Sequence, residues 1–290
     1  MSASSPSGAL GAPTQWIESH GRRLAYRSIG SGTPLVLCTR FRGTLDTWDP
    51  AFLDAVAARG FRVITFDYSG LGASTGTKSY DLQRLVADAL DLIDGLALGR
   101  IVVGGWSLGG LAAQVMVAVH PDRISHAVLI GTGPPGPTVK GPETVFFDTA
   151  VHPENPFEDE LILFFEPASP TSRAAARLSV DRMAARVDDT SAPVPWQWAA
   201  DHLASRAPGP IFPADAVLAA LKATAVPLLH IGGDHDVAFP IENWYALNRQ
   251  LPTLQLVTFP QSGHAPQHQH PEAAAAAIAT FVRHTPGHGE

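Results

Sequence analysis

Apolar residues along this chain gather into short unbroken runs separated by longer stretches of helical spacing. Residues 34–38 (PLVLC) form such a run behind Gly32, as expected of a strand covered on both faces. Residues 48–59 carry apolar positions at helical spacing up to a Gly60 stop, and residues 61–66 (FRVITF) read as the next strand. Strand, helix, strand in that order is a parallel crossover unit. The alternation continues through a helix at 80–98, a strand at 101–104, a helix at 108–120 ended by Pro121, and a strand at 126–130. It resumes at 226–231, 242–251, 254–259 and 272–284, while residues 15–19 and 23–28 flank a His20-Gly21 turn and read as an N-terminal hairpin.

Between Gly131 and Ala223 the strand-like runs stop. GTGPPGP opens the stretch, and helical patches follow at 157–166, 173–187, 195–204 and 214–223, separated by proline and glycine. The pattern predicts one α/β core, residues 14–135 and 224–284, interrupted by a helical lid over 136–223. Residues 1–13 are rich in Ser, Ala, Pro and Gly and read as a disordered tail, and 285–290 as a flexible C-terminus.

Composition narrows the function classes. With 290 residues the chain can bury a large core, and its single cysteine, Cys38, excludes an internal disulfide framework. A formal net charge of −7 without a basic run argues against nucleic acid. No window approaches a membrane-spanning run, and residues 1–13 lack the charged-then-apolar order of a secretory leader, so a cytoplasmic protein off the membrane is expected. His264, His268 and His270 with Asp234, His235 and Asp236 do not follow a hydrolytic zinc spacing, so neither metal nor cofactor is expected. The expected partner is a small-molecule substrate, and the expected state is monomer or homodimer.

The candidate chemistry centres on Gly105-Trp106-Ser107-Leu108-Gly109, a G-x-S-x-G between a buried strand and a helix. A nucleophilic serine wants a tight strand-to-helix turn, where its hydroxyl is exposed and the helix N-terminus favours negative charge. It also needs a base and an orienting carboxylate. His264 follows the strand ending at Phe259, and Asp234 and Asp236 follow the strand at 226–231, all at the strand ends where crevices of open α/β sheets form. The chain order is Ser, Asp, His.

With these motifs the sequence resembles the α/β-hydrolase superfamily across nearly all of residues 14–284. Asp67 to Ser74 (DYSGLGAS), Gly233 to Pro240 (GDHDVAFP) and Ser262-Gly263-His264 match its loop motifs. The resemblance implies an eight-stranded, mostly parallel sheet with helices on both faces and an inserted helical cap, and a Ser107, His264, Asp236 triad. It also implies an oxyanion hole from the N–H groups of Leu108 and Phe41. One departure stands out: Thr39-Arg40 occupies the place of the usual His-Gly, leaving Arg40 either to hold a substrate carboxylate or enolate oxygen, or to face the surface or lid. Apolar lid residues, among them Phe146, Phe147, Leu161, Leu163, Phe164, Phe165, Trp196 and Trp198, favour an apolar substrate. Arg40, Trp106, Phe165, Trp196 and Trp198 are the candidate substrate contacts.

The implied activity is that of a serine esterase, lactonase or thioesterase on a small to medium apolar substrate. The alternatives are cofactor-free perhydrolase or haloperoxidase-like chemistry, carbon–carbon bond hydrolysis on the same triad, or a non-catalytic ligand-binding protein.

Overall fold

A computed structural model describes residues 8–204 and 214–289. Its strands are β1 (Gln15–Ser19), β2 (Arg22–Gly30), β3 (Thr33–Cys38), β4 (Phe61–Phe66), β5 (Ile101–Trp106), β6 (Ile124–Ile130), β7 (Leu228–Gly233) and β8 (Leu254–Phe259). They form one sheet in the order β1-β2-β4-β3-β5-β6-β7-β8. β2 runs antiparallel to β1 and β4, and all other neighbours are parallel. The helices are α1 (Pro50–Ala57), α2 (Leu82–Gly95), α3 (Leu108–Val119), α4 (Thr144–Ala150), α5 (Phe157–Phe164), α6 (Pro170–Ala184), α7 (Trp196–Ala204), α8 (Ala214–Ala223), α9 (Glu242–Ala246), α10 (Pro266–Gln269) and α11 (Pro271–His284).

The unbroken apolar runs follow from helices on both faces. Along β3, Leu35 and Leu37 join a core with Phe52 of α1 and Ile278 of α11, whereas Val36 and Cys38 join a second core with Leu85 of α2 and Met116 of α3. Successive side chains of a strand point to opposite faces, so a strand between two cores has no polar side. Cys38 is fully buried, which pushes its thiol up to about 12.

Among the described residues five helices, α4 to α8, lie between β6 and β7. α4 was not anticipated because seven residues are too short to show a period. α6 begins earlier than the pattern suggested, since Ser169 caps it and Pro170 takes its first position. α9 is shorter than the expected 242–251, and Arg249 beyond it adopts φ 69, which helix cannot continue.

Two sequence expectations need correction. Of the expected tail, 1–7 lie outside the described residues, but 8–13 are anchored. The Ala9 amide donates to Asp54 Oδ1 at 2.7 Å, and Arg186 donates to the carbonyls of Ala9 and Ala12. Of the expected flexible C-terminus, 285–289 are also held. The His288 amide donates to the Ser125 carbonyl at 3.1 Å, and the His126 ring bonds the Thr285 carbonyl at 2.9 Å. Low-complexity composition cannot report such tertiary ties. No helix among the described residues is long and apolar enough to cross a membrane.

One buried charge pair ties α6 to the start of α1. Asp49, fully buried, accepts from Ala51 N–H at the α1 N-cap and from Arg182 Nε and Nη2 at 2.8 and 2.5 Å, and its own amide donates to His268 Nε2 at 3.3 Å. Burial opposes the Asp49 charge, but the Arg182 hydrogen bonds and its other donors outweigh it and hold the carboxyl below its usual range. A depressed folded-state value means that the stabilisation is present above the unfolded value near pH 4 and is lost as pH falls through the folded one. Arg182→Ala leaves the Asp49 charge buried without its partner and is expected to cost about 2 to 3 kcal/mol at neutral pH, with the deficit shrinking below about pH 4. Urea unfolding across pH checks this.

Candidate active site

β5 is central in the sheet and stops at Trp106, and α3 begins two residues later. Ser107, between them, has φ 58 and ψ −120, a conformation that costs a residue with a Cβ about 1–3 kcal/mol. The surroundings over-determine it. Its amide donates to the Ile130 carbonyl at 2.9 Å, and its carbonyl accepts from the Thr132 hydroxyl at 2.7 Å. Glycines flank it because chains pass too closely for side chains: a Cβ on Gly105 would meet the Gly109 carbonyl oxygen at 2.1 Å, and one on Gly109 the Cys38 carbonyl oxygen at 2.0 Å.

His264 and Asp236 form a buried pair, Nδ1 to Oδ2 at 2.8 Å, each side chain 2% exposed. Asp236 Oδ1 accepts from the Ala238 and Phe239 amides, both at 2.8 Å, which fixes the carboxylate in the turn after β7. A carboxylate only accepts, so Nδ1 of a neutral His264 carries the proton and Nε2 is left as a base. Asp234 does not reach His264. It accepts from the His235 ring at 2.7 Å and the Ser262 amide at 3.3 Å, as a loop-capping acid does. The three histidines of the last loop have separate surroundings: His264 on Asp236, His268 on the Asp49 amide, and His270 stacked on Phe259. Burial pushes His268 down to about 4, so it is neutral at physiological pH.

Ser107 and His264 line one cavity of about 30 Å³ with Arg40, Phe41, Leu163 and Phe164. Phe146, Ala150, Asn155 and Arg42 complete it. The residues of α4, α5 and the loop between them therefore close over the serine.

Of the five candidate substrate contacts, Arg40 alone lines this cavity. Trp106 is instead a brace beneath the histidine loop: its Nε1–H donates to the His264 carbonyl at 2.8 Å, and its ring packs on Trp48 and His268 at 5.7 and 4.7 Å. Phe165 is buried with its backbone against Gly263. Trp198 packs on Tyr80 at 4.7 Å, and Trp196 is 42% exposed. Phe146, Leu163 and Phe164 take the places these were expected to fill. Lid composition marks an apolar group but not which way each ring turns.

Sequence reasoning missed Arg42 and Asn155. Arg42 holds the left-handed position of its turn, φ 56, and its guanidinium donates to the carbonyls of Ala150, His152 and Pro153 at 3.1, 2.8 and 3.1 Å. An arginine at position 40, where the family usually has glycine, needs no special backbone, since φ is positive at Arg42 and not at Arg40. Of the two residues expected to bind an oxyanion, Phe41 lines the cavity and Leu108 opens α3, where first-turn N–H groups have no intrahelical acceptor.

The family described as alpha/beta hydrolase fold matches residues 33–271, and the chain belongs to it. BpoC of Mycobacterium tuberculosis, named as a non-heme bromoperoxidase, is 31% identical over 264 residues, 89% of this chain and 97% of its own. The pimeloyl-[acyl-carrier protein] methyl ester esterase of Vibrio atlanticus is 27% identical, over 90% of this chain and 98% of its own. An alpha/beta hydrolase fold protein from Chitinophaga pinensis superimposes with a TM-score of 0.81 at 30% identity, covering 96% of this chain and all of its own.

Ser107→Gly removes the Cβ that makes this conformation costly. That variant is expected to unfold later in urea, by about 1 kcal/mol net of the freedom glycine adds to the unfolded chain, and a variant less stable than wild type would show the conformation to be relaxed.

Proposed function

We propose that the chain is a serine hydrolase cleaving a carboxylic ester, lactone or thioester of a small to medium substrate. The observation that carries this reading is a left-handed Ser107 sharing one cavity with a His264 whose Nδ1 is held by buried Asp236. His264 Nε2 takes the Ser107 proton as Oγ bonds the carbonyl carbon. The resulting oxyanion is received by the N–H groups of Leu108 and Phe41, while Asp236 stays ionised and stabilises the imidazolium. The leaving alkoxide or thiolate takes the proton from His264. Water, losing a proton to His264, then attacks the acyl-enzyme and releases the acid, and the proton returns to Ser107.

Residues 136–223 serve in this reading as a lid. The cavity they border is small, about 30 Å³, which favours a short acyl or alcohol portion beside Ser107.

A second reading is favoured by the names of relatives such as BpoC and a Synechocystis non-heme chloroperoxidase. Hydrogen peroxide would replace water as the acyl acceptor, and the peracid formed would oxidise halide to hypohalous acid as it returns to the carboxylic acid.

A fluorophosphonate probe is expected to label wild type at Ser107 and to spare folded Ser107→Ala. Asp236→Asn is expected to lower kcat on p-nitrophenyl esters by roughly a thousandfold or more. Absence of labelling in folded wild type rejects the hydrolase. Peroxide- and carboxylate-dependent bromination of a phenol dye faster than ester hydrolysis selects the second reading.

A further inference from the structure

A guanidinium beside a nucleophile needs a reason, because burial of charge is costly unless a partner compensates it. Arg40 leaves the end of β3 and shares the cavity with Ser107 and His264. Its Nη1 donates to the Phe41 carbonyl at 2.8 Å, a neutral acceptor. Its Nε is buried with no hydrogen-bond partner among the described residues. Its carbon centre lies 4.5 Å from the Phe164 ring centroid and 5.2 Å from that of Trp106, so two rings hold the cation in place without neutralising it.

The surroundings supply only part of the missing charge. Among the described residues no carboxylate forms an ion pair with Arg40 within 4.0 Å. Glu160 on α5 influences it from further away, and the Glu160 carboxylate accepts from Asn155 Nδ2 at 3.5 Å. Arg42 adds a second cation to the same lining, though its guanidinium is engaged by main-chain carbonyls. Burial works against the Arg40 charge and pulls its value below the ordinary one, which marks a cation short of compensation.

We propose that Arg40 is a specificity residue and that the substrate carries an ionised carboxylate a few atoms from its scissile carbonyl. This deepens the hydrolase reading and rests on it. The Nε edge of the guanidinium supplies charge-assisted donors to the carboxylate, and the small cavity shared with Ser107 limits the span between the two groups. The apolar walls from Phe146, Leu163 and Phe164 then cover the carbon atoms between them.

The test measures kcat/KM on two matched pairs. p-Nitrophenyl hydrogen glutarate against p-nitrophenyl pentanoate places the charge on the acyl side, and carboxymethyl butyrate against propyl butyrate places it on the alcohol side. Wild type is expected to prefer the anion in at least one pair, and Arg40→Gln to lose roughly 10- to 100-fold on that anion, mainly in KM, with little change on its neutral partner. Arg40→Lys is expected to restore part of the preference. An equal loss on anionic and neutral esters, or no anionic preference in wild type, overturns the proposal.

A second measurement needs no variant: glutaramate should protect Ser107 of wild type from the fluorophosphonate at lower concentration than glutaramide, which differs from it by one charge. Equal protection overturns the proposal. Labelling of Ser107 without charge discrimination rejects the role of Arg40 and leaves the hydrolase standing, whereas no labelling rejects both.

Discussion

The conformation of Ser107 is the constraint around which the centre of this molecule is arranged. A central strand must stop, reverse its backbone sense in one residue and become a helix, all within van der Waals contact of its neighbours. That requires hydrogen atoms in place of side chains at Gly105 and Gly109, because the Gly109 carbonyl and the end of β3 lie where those side chains would be. It also requires acceptors and donors for the strained residue, which β6 and the Thr132 hydroxyl supply. Strain of this kind persists only where several independent contacts hold it.

The histidine reaches its place through the same strand. Trp106 precedes the serine, points to the opposite face and bonds the His264 carbonyl from below, while Asp236 holds the imidazole from the side. Main chain and ring are thus positioned by different elements, β5 for one and the turn after β7 for the other. The segment that closes the cavity is attached with equal economy. Arg182 grips Asp49, Ser191 donates to Asp67 at 2.7 Å, and Arg42 collects three carbonyls of the segment from Ala150 to Pro153. Asp67 in turn accepts from the Leu45 and Ala73 amides, and its burial pushes the carboxyl up to about 6.

The parts legible in the sequence are those governed by local rules. PLVLC and HAVLI read as buried strands because helices on both faces leave no polar side, and the elbow glycines are visible because close approach forbids any other residue. Asp236 and Asp234 were both open on residue type alone. The loop motif favours Asp236, and the structure pairs it with His264 by using its other oxygen on the two amides that follow. Illegible were features decided by tertiary geometry. The Ser-, Pro- and Gly-rich start of the chain looked free but is held at Ala9 by Asp54 and Arg186. Trp198 and Phe164 are both aromatic lid residues, yet only the second faces the cavity, because α5 rather than α7 lies over Ser107. The direction of Arg40 depends on two rings more than 60 residues away in sequence, which no pattern near Arg40 encodes.

The helices between β6 and β7 leave the sheet from one strand and return on its immediate neighbour, with Ile130 paired in register to Ile231. Because the two strands are parallel, the segment leaves after Ile130 at one end of the pair and returns at Leu228 at the other, across a gap that the register of the sheet fixes. Closing a loop across a fixed gap becomes dearer by only about 0.6 kcal/mol for each doubling of its length. The segment over the serine is in this sense a detachable part, free to be lengthened, shortened or rebuilt over evolutionary time while the sheet beneath it keeps its register. A catalytic floor and an exchangeable ceiling can then change at different rates, so that new substrates are reached by altering the cover and not the chemistry.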